Sequence, residues 1–122
     1  MTERIKLTPN FYQDEFAYKC GCGLDDISKD LVDLLQTARD LYKSPMQVTS
    51  GLRCKNWNSQ VGGADHSAHL SGKAVDIEMS SSILRYRMVR IMQKFFKRIG
   101  IAKTFIHVDV DHSKTNPCIW TY

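Results

Sequence analysis

His69, Asp76 and His107 are the residues of this chain whose types suit metal chemistry: a His-x6-Asp pair and a later histidine. Two imidazoles and one carboxylate suit Zn²⁺, and three protein ligands leave a position for water, the arrangement of a catalytic site and not a closed structural one. Zinc lowers the pKa of such a water to about 7 and polarises a carbonyl, so the chemistry implied is hydrolysis without a side-chain nucleophile. The four cysteines, Cys20, Cys22, Cys54 and Cys118, lack the paired C-x-x-C spacing of a structural zinc site. Reduced thiols are the expectation for them in a chain read as having no secretory leader.

Strands must bring these groups together. Lys73 to Met79 alternates, with Val75, Ile77 and Met79 on one side and Ala74, Asp76 and Glu78 on the other, which predicts a half-buried strand with an acidic second face. Phe105 to Asp111 repeats the pattern: Ile106, Val108 and Val110 suit a core, while Phe105, His107, Asp109 and Asp111 point away from it. Met46 to Ser50 reads as a short strand, and Cys118 to Tyr122 as a final one. Ser28 to Lys43 carries Leu31, Leu34, Leu35, Ala38, Leu41 and Tyr42 on one helical stripe, after Asp25 and Asp26, which suit a helix start, and before Ser44-Pro45, which ends it. A second helix is predicted from a cap at Ser81 or Ser82 to Ile99, with the stripe Leu84, Met88, Ile91, Met92, Phe95 and Ile99 and Gly100 as its stop. Between Arg53 and Gly72 the apolar period disappears and Asn, Gly and Ser accumulate, a long loop of the kind that usually carries function.

The order of elements predicts an α+β domain with a small, mostly antiparallel sheet packed on helices. At 122 residues and 14.0 kDa, a single domain spanning 1–122 is expected. With 43% hydrophobic and 25% charged residues, collagen-like and disordered readings fall away. No stretch suits a membrane span, and Met1–Asn10 is too polar for a signal peptide. The net charge of +4 is too mild to name a nucleic-acid partner. The basic row Arg85, Arg87, Arg90, Lys94, Lys97 and Arg98 lacks interleaved stacking aromatics and reads as a solvated helix face that could attract an anionic surface.

The segment Ser50-Gly51-Leu52-Arg53, then Asn58, Val61-Gly62-Gly63, then Ser67-Ala68-His69-Leu70-Ser71-Gly72-Lys73-Ala74-Val75-Asp76-Ile77 fills every fixed position of the motif S-x-H-x-x-G-x-A-x-D. It resembles the zinc D-alanyl-D-alanine carboxypeptidase and L-alanyl-D-glutamate endopeptidase family, whose fold is related to hedgehog proteins. Phe105-Ile106-His107-Val108-Asp109-Val110 is similar to that family's later histidine strand. Asn10-Phe11, Glu15-Phe16 and Cys20-Gly21-Cys22-Gly23 are similar to its short, phage-associated branch, so the resemblance covers nearly the whole chain.

The resemblance implies His69, Asp76 and His107 as ligands of one Zn²⁺ per chain. It implies Arg53 as the cation holding the substrate carboxylate or the oxyanion, a role that suits a guanidinium fork. Ser67 is expected to hydrogen-bond within the ligand loop or to substrate, and Gly62, Gly63 and Gly72 to permit the backbone course that places His69. The sequence departs from the family where several members carry an acidic base or a second histidine just before the last ligand: Thr104 and Phe105 stand there. The general base is therefore unassigned among Asp109, His66 and Glu78. Asp109 could alternatively orient a ligand. His112 is left outside the metal shell, and Trp57 and Trp120 could line a cleft or simply pack. The expected activity is hydrolysis next to D-amino acids in bacterial peptidoglycan stem or cross-link peptides. The alternative is a zinc-stabilised peptidoglycan-binding or virion component without peptidase activity. The expected protein is a monomer without nucleic-acid partner or membrane insertion, made in a host cytoplasm and acting at the cell wall or carried in a virion.

Overall fold

The computed structural model describes residues 4–16, 27–51 and 72–122. An N-terminal hairpin pairs β1 (Lys6–Thr8) with β2 (Phe11–Tyr12) and runs directly into a one-turn helix α1 (Gln13–Phe16). Phe11 and Phe16 are both buried, with ring centroids 5.9 Å apart. Gln36 of the following long helix clamps this segment: its Oε1 accepts from the Asn10 backbone N–H and its Nε2 donates to Asn10 Oδ1, both at 2.8 Å. Sequence periodicity had no hold on this segment because its strands are only three and two residues long.

Helix α2 (Lys29–Tyr42) forms where the first apolar stripe predicts it. Ser28 is the N-cap, its side chain accepting from the Leu31 N–H, and Lys43 closes the other end in the left-handed conformation at φ 59°, its N–H bonded to the Arg39 carbonyl. Leu31, Val32, Leu35, Ala38 and Tyr42 are buried, whereas Leu41, expected in the stripe, is 46% exposed because it lies at the rim of the buried arc. Each fully buried leucine removed from water contributes about 1.5–3 kcal/mol.

Helix α3 (Ser82–Met92), capped by Ser81, is shorter than the expected span to Ile99. Met88 and Met92 are buried, but Leu84 is 43% exposed. After Met92 the chain tightens into turns, with the Lys94 N–H bonded to the Ile91 carbonyl and the Phe95 N–H to the Met92 carbonyl. Arg98–Ile101 is then a strand, β5. The i, i+4 spacing of Phe95 and Ile99 satisfied a helical stripe, but Ile99 and Ile101 also satisfy a period of two, and pairing with two neighbouring strands decided the outcome. Gly100 is accordingly a strand residue and not a helix stop.

The main sheet has the order β3 (Val48–Ser50), β4 (Ala74–Glu78), β6 (Phe105–Asp109), β5, β7 (Cys118–Thr121). Every pairing is antiparallel except that of β5 with β7. The α+β architecture with a small, mostly antiparallel sheet is as the sequence predicts. Val75, Ile77, Ile99, Ile106 and Val108 are buried on one face of the sheet in one core with the buried residues of α2 and α3. The opposite face is covered as well: Asp76, His107, Asp109 and Asp111 are all buried. The half-buried strands expected from alternation are therefore closed on both sides. Among the described residues no helix is long and apolar enough to cross a membrane.

Candidate metal centre

Strand register builds the site. Asp76 of β4 stands opposite His107 of β6, His107 opposite Gly100 of β5, and Gly100 opposite Trp120 of β7. Two residues along each strand, Ala74, Asp109, Arg98 and Cys118 form a second row. Because side chains alternate across a pleated sheet, both rows share the face turned away from Val75, Ile77, Ile106 and Val108.

His107 sits between two carboxylates. Its Nδ1 lies 2.9 Å from Asp76 Oδ1, and its Nε2 lies 2.7 Å from Asp109 Oδ2. The other oxygen of Asp109 accepts from Arg98 Nε at 2.8 Å and from the Asp111 backbone N–H at 3.1 Å. Trp120 covers the row, its ring centroid 5.3 Å from that of His107, with the Arg98 guanidinium 4.7 Å from the indole centroid. Gly100 makes this possible: a Cβ there would lie 2.7 Å from indole Cε2 and Nε1, so only glycine admits the tryptophan.

Burial pushes the His107 imidazole pKa down, but hydrogen bonds and charge from Asp109 and Asp76 outweigh it and hold the pKa above the usual value. In the metal-free chain a ring with both nitrogens facing carboxylates is the doubly protonated form, since either nitrogen without a proton would oppose a carboxylate lone pair.

The donor set fits zinc. Bond lengths of about 2.0–2.2 Å and tetrahedral angles set two donors of one zinc ion roughly 3.3 Å apart. Asp76 Oδ1 and His107 Nδ1 lie 2.9 Å apart and need open only slightly. The N–H of a metal-ligating histidine that does not face the metal is ordinarily held by a carboxylate or carbonyl, and Asp109 stands in that position. Asp109 is on the far edge of the ring, so Asp76, His107 and Asp109 do not surround one point, and no group of three candidate ligands forms a metal cage among the described residues. The third ligand named by the sequence, His69, lies outside them, as do Arg53, His66, Ser67, Gly62, Gly63 and Trp57.

Other candidates are placed. Gly72 has φ 71°, a left-handed conformation that favours glycine, and its carbonyl accepts from the Ser28 N–H at 2.8 Å, tying the end of the motif segment to the start of α2. Glu78 is exposed at the end of β4, and His112 is exposed in the turn after β6. Cys118 is a free thiol; the remaining cysteines lie outside the described residues. The basic row is not uniformly solvated. Arg85 donates to the carbonyls of Met79 and Lys103, Arg87 donates to the Tyr42 carbonyl and covers its ring, and Arg98 joins the site. Arg98 was missed as a site residue because the helical stripe absorbed its segment; the alternation of Arg98-Ile99-Gly100-Ile101 is the signal that could have found it.

The family model described as peptidase M15 matches residues 9–109. No curated protein matches the chain. With the span from Pro9 to Asp109 inside that match, including the S-x-H-x-x-G-x-A-x-D segment and the His107 strand, the chain belongs to the peptidase M15 family, which is one of zinc-dependent metallopeptidases.

Proposed function

We propose that the chain hydrolyses peptide bonds next to D-amino acids in the stem or cross-link peptides of bacterial peptidoglycan, as a phage-encoded enzyme of lysis or entry. The observation that carries the catalytic part is the buried Asp76–His107–Asp109 cluster, two carboxylates flanking an imidazole on a sheet where packing alone favours apolar residues. His69, Asp76 and His107 would hold the zinc. The ion supplies Lewis-acid polarisation of the scissile carbonyl and activation of water.

The remaining steps belong to the chain. Arg53 holds the substrate carboxylate or the developing oxyanion through its guanidinium fork, and Ser67 hydrogen-bonds within the ligand loop or to substrate. Asp109, with both oxygens engaged, orients His107, which leaves His66 and Glu78 as the candidates to move the proton. The substrate class, and the phage setting, rest on the resemblance of the motif segments. Incubation of zinc-loaded protein with purified murein, followed by mass spectrometry of the soluble fragments, is expected to show new peptide termini that His69→Ala does not produce. Absence of release by the wild-type chain, or equal release by His69→Ala, overturns the proposal.

The engagement of both Asp109 oxygens also favours a second reading, a zinc-stabilised peptidoglycan-binding component, because it takes the carboxylate nearest His107 out of proton transfer. Calorimetric binding of muropeptides without turnover selects it; cleavage eliminates it.

A further inference from the structure

We infer that Arg98 is a positioning residue of the metal centre: acting through Asp109 and held under Trp120, it fixes which way the His107 ring faces. The inference rests on the reading of His107 as a ligand and adds a residue from outside the motif segments.

Asp109 can orient His107 only if its own carboxylate is prevented from turning. Arg98 prevents it. Its Nε donates to Asp109 Oδ1 at 2.8 Å, which leaves Oδ2 aimed at His107 Nε2 at 2.7 Å. The guanidinium is itself held on three sides. Its Nη1 donates to the Thr115 carbonyl at 2.6 Å and reaches Cys118 Sγ at 3.5 Å, and one face of the group lies against the Trp120 indole. The side chains of Arg98 and Asp109 are 13% and 1% exposed, so the pair is withdrawn from water. A withdrawn ion pair offsets its desolvation only with good geometry and further hydrogen bonds, and by itself it is weak evidence for stability. Here it connects a cation on β5 to the imidazole on β6, while Trp120 from β7 closes over both through the space left by Gly100. Once the ring gives up its Nδ1 proton to a metal, the consequence is a defined tautomer: the Nε2 proton stays with Asp109, and the Nδ1 lone pair is directed to the side where Asp76 lies.

The test measures zinc affinity by chelator competition at a temperature where wild type and variant are both folded, together with ¹⁵N resonances of the His107 ring in the zinc-loaded chain. Arg98→Gln is expected to weaken zinc binding by about 10–100-fold, the usual effect of removing a partner that orients a ligand. Its Nε2 proton is expected to exchange faster than in the wild type. A purely architectural arginine would lower Tm and leave the zinc dissociation constant of the folded protein unchanged. Arg98→Gln binding zinc within about threefold of wild type overturns the inference, since the expected loss is at least tenfold. If that variant does not fold, Arg98→Lys decides: it keeps a cation but lacks the rigid fork by which Nε holds Asp109 while Nη1 holds the Thr115 carbonyl. Weakening of threefold or more then supports the inference, and less overturns it. A wild-type chain that takes up no zinc overturns the metal-centre reading itself, and this one with it; a wild-type chain that binds and a variant that binds equally overturn this inference alone.

Discussion

Asp109→Asn is the most informative single change because it keeps size and shape while removing one negative charge from between two donors. The native carboxylate takes His107 Nε2 on one oxygen and Arg98 Nε on the other. Asparagine has one carbonyl oxygen to offer, so one donor must face an amide N–H. Hydrogen bonds to charged groups contribute about 1.5–3 kcal/mol each, and breaking a buried ion pair costs about 3–5 kcal/mol when the surviving charge stays buried. Since His107 can lose its proton and Arg98 keeps the Thr115 carbonyl, the lower part of that range applies, about 3 kcal/mol. With an unfolding entropy of about 2.1 cal/mol/K per residue, a chain of 122 residues would lose about 12 °C in Tm. Thermal unfolding of the metal-free protein, followed by far-ultraviolet circular dichroism at pH 7 with a chelator present, reads this directly. A fall of less than about 3 °C would refute the account, because it would mean that neither buried donor depends on the carboxylate.

Further outcomes are expected elsewhere in the molecule. Gly100→Ala should lower Tm by several degrees and disturb the Trp120 fluorescence, because its Cβ would meet the indole at 2.7 Å and overpacking of this kind costs about 1–3 kcal/mol. Leu35→Ala, at a fully buried position of α2, should cost about 2–5 kcal/mol in denaturant unfolding. The His107 pKa is raised in the folded chain above its usual 6.5, so its contribution to metal-free stability is full below that value and is lost as pH rises through the folded value. The metal-free Tm should therefore decline above about pH 6.5 relative to His107→Gln, and parallel profiles for the two proteins would contradict the assignment. Arg53→Ala should reduce kcat/KM on muropeptides by about 10²-fold or more while chelator competition shows zinc still bound.

The extent to which the site was legible varied from strand to strand. Asp76 and His107 could be set on polar strand faces from alternation alone, and the register of β4 with β6 then places them side by side. Asp109 followed from its position two residues beyond His107 on the same face. Arg98 and Gly100 were missed, because Ile99 lies four residues after Phe95 and extends the helical stripe, which masked the alternation of Ile99 with Ile101. The N-terminal hairpin escaped because its strands of three and two residues are too short to repeat an alternation, and Gln36 and the burial of Phe11 and Phe16 hold it in place.

The amino-acid sequence by itself determined the α+β class, the amphipathic helix α2, the alternating strands and the candidate ligands, because those properties depend on neighbours within a few positions. Tertiary structure alone decided that Arg98–Ile101 is a strand between β6 and β7, that the polar face of the sheet is buried, and that Arg98, Asp109 and Trp120 converge on His107. The physical reason is that pairing register and the covering of a face are set by contacts between segments far apart along the chain. A local pattern carries the period of a segment but not the identity of what lies across from it.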